Sequence, residues 1–196
     1  MSIVKIPSKL KLASTSPRRR EILATLGLDF DVVHIETDES RIEGESVEQM
    51  VLRLATAKAE AVTNEDLVLG ADTVVVLDER ALGKPQDAED AVEMLLALSG
   101  RRHSVLTGVA LKTPSGTQTV LSTTSVLFRE ISRDEAYRYW HSGEPVDKAG
   151  AYGIQGLGGM FVEVIDGSYS GVMGLPVFET VKLLKSAGID VLVTQK

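Results

Sequence analysis

The chain has 196 residues, enough for one domain of ordinary size, or two small lobes that share a core, with a large apolar interior. It carries 21 Lys and Arg against 28 Asp and Glu, a net charge of -7, which argues against a surface built for generic polyanion or nucleic-acid binding. It contains no cysteine, so thiol nucleophiles, disulfides, iron–sulfur clusters and thiolate zinc sites are excluded. The histidines, His34, His103 and His141, are scattered without ligand spacing, and we expect ordinary packing or surface residues.

The hydropathy pattern gives no sign of a membrane segment. No apolar run approaches the ~18 residues needed to span a bilayer. The N-terminal stretch MSIVKIPSKLKLAS also lacks the long apolar core of a signal peptide. We therefore expect a soluble, cytoplasmic protein that does not bind membranes.

The first predicted elements are a strand, a helix and a second strand. Leu10 to Ala13 predict a short buried strand, after which Ser16 is placed as a helix N-cap with Pro17 at the first helical position. Gly27 ends this helix. Residues 30–38, FDVVHIETD, alternate as a strand.

A long helix and a long apolar run follow. Residues 44–62 predict a helix with a capping box formed by Ser46 and Gln49. Residues 66–78, DLVLGADTVVVLD, are a near-continuous run of β-branched residues and Leu, which is the pattern of a strand pair buried on both faces.

The middle of the chain predicts a helix and a hairpin. Residues 84–100 form a helical pattern capped near Asp87 and closed by Gly100. Residues 103–113 and 119–131 predict two long strands that flank turn residues, which indicates an antiparallel hairpin.

The last third contains two helices around a glycine-rich segment. One helix begins at Ser132, with Glu135 completing a capping box, and ends at Gly143; the final helix begins at Pro176 and ends at Gly188. Between them, residues 147–176 are glycine-rich and include one clear strand at residues 160–165. Because helices and strands interleave around a central hairpin, we expect a single α/β domain over residues 1–196, built on a mixed sheet flanked by helices.

Three consecutive arginines, Arg18 to Arg20, open the first predicted helix. A helix N-terminus is partly positive, so each cation there costs about 0.3–1 kcal/mol unless an anion compensates. Free backbone N–H groups, the hydroxyls of Ser14, Thr15 and Ser16, and the guanidinium groups suit a bound phosphate. A solvated basic turn is the alternative, and the charge argument favours the anion site.

Lys58 falls near the centre of an otherwise apolar helix face formed by Val51, Leu54, Ala55 and Val62. A buried ammonium there needs a charged partner, because an unpaired one loses its proton or disrupts the core. The alternative is a side chain whose stem covers apolar surface while its ammonium reaches water. Helical geometry alone leaves both interpretations open.

Carboxylates and one further lysine complete the candidates. Asp72 lies between apolar strand residues after Gly70 and Ala71, which we expect to form a tight turn; it is a candidate metal ligand or base, or a turn aspartate bonded to nearby amides. Glu39 is expected to close the strand before it, and Lys84 lies in a predicted loop.

Six motifs occur in one order along the chain: ASTSPRRREIL, TDES, RLATAKA, GADT, GKP and DKAGAYGIQGLGG. Together they closely resemble the Maf family of nucleoside triphosphate pyrophosphatases, from about Leu12 to the final helix. The resemblance implies an elongated α/β fold, similar to that of inosine triphosphatases, with two lobes around a central cleft. It also implies a homodimer and the hydrolysis of a nucleoside triphosphate to the monophosphate and pyrophosphate with a divalent metal, Mg²⁺ or Mn²⁺.

The resemblance also implies catalytic roles. The aspartate of GADT, here Asp72, corresponds to the proton acceptor, and Glu39, Lys58 and Lys84 match further active-site positions. Glu39 and Asp72 are the expected metal ligands. A carboxylate bound directly to a metal is a poorer base, so the two roles of Asp72 compete, and both stay open.

Substrate contacts follow from the same motifs. The start of the first helix, with Arg18, Arg19 and Arg20, is called the arginine turn. Together with Ser14 it matches the phosphate-binding loop. The dTTP/UTP branch of the family carries Arg, Thr and Gln at three distinguishing positions, where the 7-methyl-GTP branch typically has Trp, Gln and Glu. This chain resembles the dTTP/UTP branch, since it has Arg18, Thr73 and Gln155 there.

We therefore expect a hydrolase of dTTP, UTP and modified pyrimidine nucleotides, whose triphosphate is the negative partner of the arginine turn. Thr15 departs from the dTTP/UTP branch, which often has Gly there, and leaves fine substrate preference open. The alternatives are a pyrophosphatase for 7-methyl-GTP or another non-canonical nucleotide, and a nucleotide-binding regulator without turnover.

Overall fold

A computed structural model describes residues 10–63 and 67–192. Within these residues seven strands form one sheet in the order β2-β1-β3-β5-β6-β7, with β4 paired to β3. Two features of the sequence analysis fall outside the described residues. One is most of the N-terminal stretch, which lacks a signal-peptide pattern, and the other is Asp66, which begins the predicted apolar run.

The elements alternate as expected of an α/β protein. Strands β1 to β7 span Leu10–Ala13, Phe30–Val33, Val68–Leu77, Arg80–Leu82, Arg102–Thr113, Gly116–Phe128 and Val162–Asp166. Helices α1 to α6 span Pro17–Thr25, Val47–Glu60, Ala88–Leu98, Arg133–Trp140, Tyr169–Val172 and Val177–Ser186. Three 3₁₀ turns span Glu144–Asp147, Ala149–Ala151 and Leu157–Phe161. In the part of the chain that the structure describes, no helix combines the length and apolar character needed to cross a bilayer.

The sheet is mixed, which confirms the predicted fold class. Strand β1 pairs in parallel with β2 and β3, whereas β4 and β7 are antiparallel to β3 and β6. Strands β5 and β6 are neighbours joined by two residues, a link that permits only an antiparallel hairpin, as predicted.

The helix boundaries follow their capping residues. The predicted capping boxes, at Ser46 with Gln49 and at Ser132 with Glu135, are both present. Ser16 accepts a hydrogen bond from the Arg19 N–H, so the predicted cap of α1 is confirmed. The predicted stops all adopt a positive φ that favours glycine, at Gly27, Gly100, Gly143 and Gly188.

Two strand predictions were wrong. Strand β2 ends at Val33 rather than at residue 38, because its partner β1 ends at Ala13, which pairs with Val33. Glu39 therefore lies in a loop and does not close a strand. The apolar run at residues 66–78 forms one strand, β3, and not a pair. The strand expected at residues 160–165 is present at Val162–Asp166.

Gly70 and Ala71 lie inside β3, so the predicted tight turn before Asp72 was also wrong. Gly70 is required instead because a side chain there would collide with α2. A Cβ at position 70 would overlap the carbonyl oxygen of Ala55 and lie 2.7 Å from the backbone nitrogen of Ala59, both on α2. Gly70 thus lets α2 pack directly against the strand.

The described chain divides into two compact units. The first contains the residues up to Asp72, Thr107–Ser122 and the residues from Gly174, and the second contains Thr73–Leu106 and Thr123–Met173. A single domain over residues 1–196 stays a prediction.

Each unit has its own buried cluster. In the first, small residues of α2, among them Ala55 and Ala59, pack against Ala13, Val68 and Ala110 of the sheet. In the second, helices α3 and α4 pack against the sheet around large aromatic side chains, which include Phe128, Tyr139, Tyr152 and Phe161.

His103 belongs to the aromatic cluster of the second unit, which confirms that it is a packing residue. Its ring contacts Phe128 edge-on, with centroids 4.8 Å apart, and its Nε2 lies 2.9 Å from the Tyr152 hydroxyl. Burial lowers the pKa of His103 to about 4. His34 and His141 are exposed.

His103 gives stability a specific pH dependence. An unfolded histidine titrates near pH ~6.5, so as the pH falls the unfolded chain takes up this proton before the folded one, whose pKa is about 4. The free energy of unfolding then falls by up to ~1.4 kcal/mol per pH unit in that window and is unaffected by His103 above it. Urea unfolding at several pH values gives the free energy of unfolding as a function of pH, and His103→Gln should lower its slope between about pH 4 and pH ~6.5. Equal slopes in the two proteins would contradict the assignment.

Gly70→Ala should destabilise the first unit by about 1–3 kcal/mol, since the added methyl must push α2 away from β3. Gly83→Ala is the matched control, because a Cβ there meets nothing within 4 Å. Urea unfolding of both variants tests the contact, and equal stabilities would show that α2 does not need the close approach.

Candidate active site

Lys58 is buried on the face of α2 that packs into the first unit, with 9% of the residue exposed. Its Nζ donates hydrogen bonds to Glu39 Oε1 and Asp72 Oδ1, at 2.7 Å each. Of the two interpretations left open by the sequence, the buried ammonium with charged partners is confirmed.

The two carboxylates around Lys58 differ in environment. The Asp72 side chain is 13% exposed, whereas that of Glu39 is 62% exposed. Two charges inside a protein are tolerated when each satisfies the other, and removing one partner leaves the second uncompensated. The Lys58–Asp72 pair is therefore the fixed part of the arrangement, and Glu39 adds a third charge from the solvent side.

The sheet and α2 together determine where Asp72 lies. Ala13 of β1 pairs with Gly70 of β3, and Asp72 follows two residues along the same strand. The close packing of α2 on Gly70 brings Lys58, one turn along from Ala55, to hydrogen-bonding distance of Asp72.

Arg53 anchors the loop that carries Glu39. Its guanidinium donates two hydrogen bonds to the Glu45 carboxylate, at 2.6 and 2.8 Å, and a third to the Ser40 carbonyl at 3.1 Å. The hydrogen bonds with Arg53 lower the pKa of Glu45. The sequence reasoning missed this pair, since its one signal was the position of Arg53 in the RLATAKA motif five residues before Lys58.

The turn before α1 is organised by Ser14, which is 7% exposed. Ser14 Oγ accepts from the Ser16 N–H at 3.2 Å and from Arg19 Nη1 at 3.4 Å. Arg19 Nε donates to the Gly174 carbonyl at 2.8 Å, which ties the turn to the segment of the first unit that begins at Gly174, 155 residues later in the sequence. Arg18 and Arg19 are half-buried, whereas Arg20 and Thr15 are exposed.

The arginine turn interacts electrostatically with the carboxylates of Asp72 and Glu39. Burial lowers the pKa of Arg19, and repulsion from Arg18 acts in the same direction. The charges of Asp72 and Glu39 oppose this decrease, so the Arg19 guanidinium lies within electrostatic reach of both carboxylates. The first unit thus brings together six of the predicted site residues, which are Ser14, Arg18, Arg19, Glu39, Lys58 and Asp72.

The other three predicted residues lie in the second unit. Thr73 directly follows Asp72 on β3 and is half-buried, whereas Lys84 and Gln155 are exposed in loops. The Gly150 N–H donates to the Gly83 carbonyl at 2.9 Å, so the loop with Lys84 is bonded to the glycine-rich segment.

Glu39 and Asp72 can contribute to a divalent metal site. Among residues 10–63 and 67–192 no group of three or more His, Cys, Asp or Glu side chains is arranged to hold a metal ion. Mg²⁺, however, is commonly bound by one or two carboxylates and completes its shell with substrate phosphates and water. Two carboxylates that converge on a single cation, Lys58 Nζ, fit a metal of this kind.

Lysine and arginine side chains that contact phosphate oxygens, and carboxylates that hold a metal ion, are the groups that phosphoryl-transfer enzymes use, and this site contains both kinds. The model of the Maf-like protein family matches residues 9–187, and the chain belongs to the Maf family.

Relatives that are about 50% identical in sequence align with at least 90% of this chain. A dTTP/UTP pyrophosphatase of Vibrio cholerae is 52% identical over 181 residues, 90% of this chain and 97% of the relative. One of Saccharophagus degradans is 51% identical over 189 residues, 93% of this chain and 90% of the relative. Among solved structures, the Ham1 protein of Staphylococcus aureus aligns with a TM-score of 0.44 and 17% identity over 62% of this chain and 72% of its own. A likeness at that level does not bear on activity.

Arg53→Lys should loosen the loop that carries Glu39, because lysine cannot reproduce the two parallel hydrogen bonds to Glu45. We expect amide exchange in residues 40–45 to rise about tenfold, with little change in the melting temperature. Arg138→Lys is the matched control, since Arg138 pairs with Asp134 at the surface. Unchanged exchange in Arg53→Lys would show that the loop is held by other contacts.

Proposed function

We propose that the protein hydrolyses nucleoside triphosphates, dTTP and UTP in particular, to the nucleoside monophosphate and pyrophosphate. The observation that carries this proposal is the pairing of Lys58 with Asp72 and Glu39 within electrostatic reach of Arg19. The names of relatives at 50–52% identity support the choice of substrate.

The triphosphate is the proposed anionic partner of the arginine turn. Ser14, the N–H groups at the start of α1 and the guanidinium groups of Arg18 and Arg19 offer hydrogen bonds and positive charge to phosphate oxygens. A polyphosphate there removes the unfavourable interaction between the arginines and the helix dipole.

Asp72 is the proposed general base. It accepts a proton from a water molecule whose oxygen forms a bond to the α-phosphorus, while the bond from that phosphorus to the bridging oxygen breaks and pyrophosphate leaves. Lys58 holds the Asp72 carboxylate in a fixed orientation through the 2.7 Å contact. Lys58 and Lys84 are the proposed cations that stabilise charge on the leaving oxygens.

The proposed cofactor is Mg²⁺ or Mn²⁺, held by Glu39 and Asp72 together with the substrate. Such an ion, when bound, neutralises phosphate oxygens and lowers the pKa of a coordinated water molecule. An Asp72 carboxylate that binds the metal directly is a weaker base, and for this reason the base and ligand roles of Asp72 are alternatives.

Thr73 and Gln155 are the proposed base-selecting residues together with Arg18, and this assignment rests on the motif match. The amide of Gln155 can both donate to and accept from the edge of a pyrimidine. Cytoplasmic location, a homodimer and the absence of nucleic-acid binding stay predictions.

Release of pyrophosphate from a nucleotide panel with Mg²⁺ or Mn²⁺ tests the proposal. We expect turnover to be fastest with dTTP and UTP. Faster turnover of 7-methyl-GTP would favour the alternative enzyme, and no turnover of any triphosphate by the folded protein would favour a regulator.

Asp72→Asn should lower kcat by a factor on the order of 10² or more while nucleotide binding persists, because the amide cannot accept the proton. Asp29→Asn, the same change at an exposed position, is the matched control. Single-turnover kinetics and equilibrium binding separate the two effects, and full activity in Asp72→Asn would remove Asp72 from the reaction.

A further inference from the structure

Glu144 is a partly buried carboxylate whose hydrogen bonds converge on the glycine-rich segment of the second unit. Its Oε1 accepts from the Tyr139 hydroxyl at 2.6 Å and from the Gly158 N–H at 3.0 Å. Its Oε2 accepts from the Leu157 N–H at 2.8 Å. One side chain therefore satisfies two consecutive backbone donors at the end of residues 153–158.

Tyr139 holds the beginning of the same stretch. Its hydroxyl oxygen accepts from the Gly153 N–H at 3.1 Å while its proton is donated to Glu144. Tyr139 itself is fixed in the core, with 3% exposed and its ring 5.1 Å from that of Phe161. Both ends of residues 153–158 are thus bonded to the same pair, Tyr139 and Glu144, and Gln155 lies between them.

The glycines of this stretch leave room for the Glu144 carboxylate and the Tyr139 hydroxyl. A Cβ at Gly156 would overlap the carboxylate, and one at Gly158 would lie 2.5 Å from the Tyr139 oxygen. A Cβ at Gly153 would lie 2.7 Å from Lys148 Cε and 3.1 Å from Glu144 Oε1. None of these three glycines has a positive φ, so each is required for space beside a neighbouring side chain, which is Glu144 at Gly156, and not for an unusual backbone.

The charge states suit this arrangement. Burial tends to raise the pKa of Glu144, but hydrogen bonds from Tyr139, Gly158 and Leu157 outweigh it and lower that pKa overall. Burial, and then the bond to Glu144, raise the pKa of Tyr139. At neutral pH the carboxylate is an acceptor and the tyrosine a donor.

We propose that Glu144 is a positioning residue for base selection: with Tyr139 it fixes residues 153–158 and so holds the Gln155 side chain where it discriminates among nucleotide bases. The inference rests on the proposed function for the assignment of Gln155 to the base. It adds two residues that do not touch the substrate and act through the backbone of the stretch they hold.

The most direct test is Glu144→Gln, which keeps the size of the side chain. A glutamine amide has one acceptor oxygen, so at least one of the Leu157 and Gly158 N–H groups faces an NH₂ group instead. We expect KM for UTP and dTTP to rise about tenfold with kcat changed less than about threefold. The preference for UTP over GTP, as a ratio of kcat/KM, should fall about tenfold.

Two comparisons separate positioning from a general structural effect. Gln155→Ala should lose the same preference, and the double variant should lose no more than either single one, because both changes remove one function. Glu163→Gln, an equal charge change at an exposed position on β7, is the matched control and should keep the preference. Amide exchange at residues 153–158 should rise in Glu144→Gln and stay unchanged in Glu163→Gln.

Tyr139→Phe provides a second variant if Glu144→Gln folds poorly. It removes one donor to Glu144 and the acceptor of the Gly153 N–H, and we expect a smaller loss of preference in the same direction. A uniform fall in kcat for all nucleotides, or an unchanged preference in folded variants, would overturn this inference alone. No turnover by the wild-type protein would overturn the proposed function and the inference with it.

Discussion

The placement of one ammonium group between two carboxylates determines most of what the first unit can do. Lys58 lies on a helix face that is otherwise apolar, and its 2.7 Å bonds to Asp72 and Glu39 make that position tolerable. Because α2 must approach β3 closely for these bonds to form, the small residues Gly70, Ala55 and Ala59 are part of the site although they carry no chemistry. The packing of α2 on β3 and the ion pairs of Lys58 therefore depend on each other, because a shift of the helix would also separate Lys58 from Asp72.

The site also shows how unfavourable charge is arranged around a ligand. Arginines at a helix start and a buried lysine are each costly without an anionic partner, and the structure brings both within electrostatic reach of Asp72 and Glu39. Ser14 and the Gly174 carbonyl accept hydrogen bonds from Arg19, and the charge of Lys58 is balanced by its two carboxylates. The remaining positive charge is what a triphosphate is proposed to neutralise.

Local patterns predicted the fold well because capping side chains act on their own backbone. Ser46 with Gln49, and the glycines with positive φ, specify helix ends without help from distant residues. Glu39 was placed in a strand because alternation continues beyond the last residue that β1 can pair, and the end of a partner strand is not visible in a single segment. The charge on Lys58 could be flagged from helical spacing, but its partners lie 14 and 19 residues away. Glu144 and Arg53 were missed for the same reason, since their bonds depend on how the chain returns to them.

The bond from Arg19 to the Gly174 carbonyl joins residues 155 positions apart. The ribosome makes the arginine turn about 155 residues before it makes Gly174, and nascent chains fold as their segments emerge. A chain that stops before Gly174 therefore lacks the acceptor that orients Arg19, however well its strands and helices have formed. Incomplete translation products of this protein contain the phosphate-binding sequence without its finished geometry.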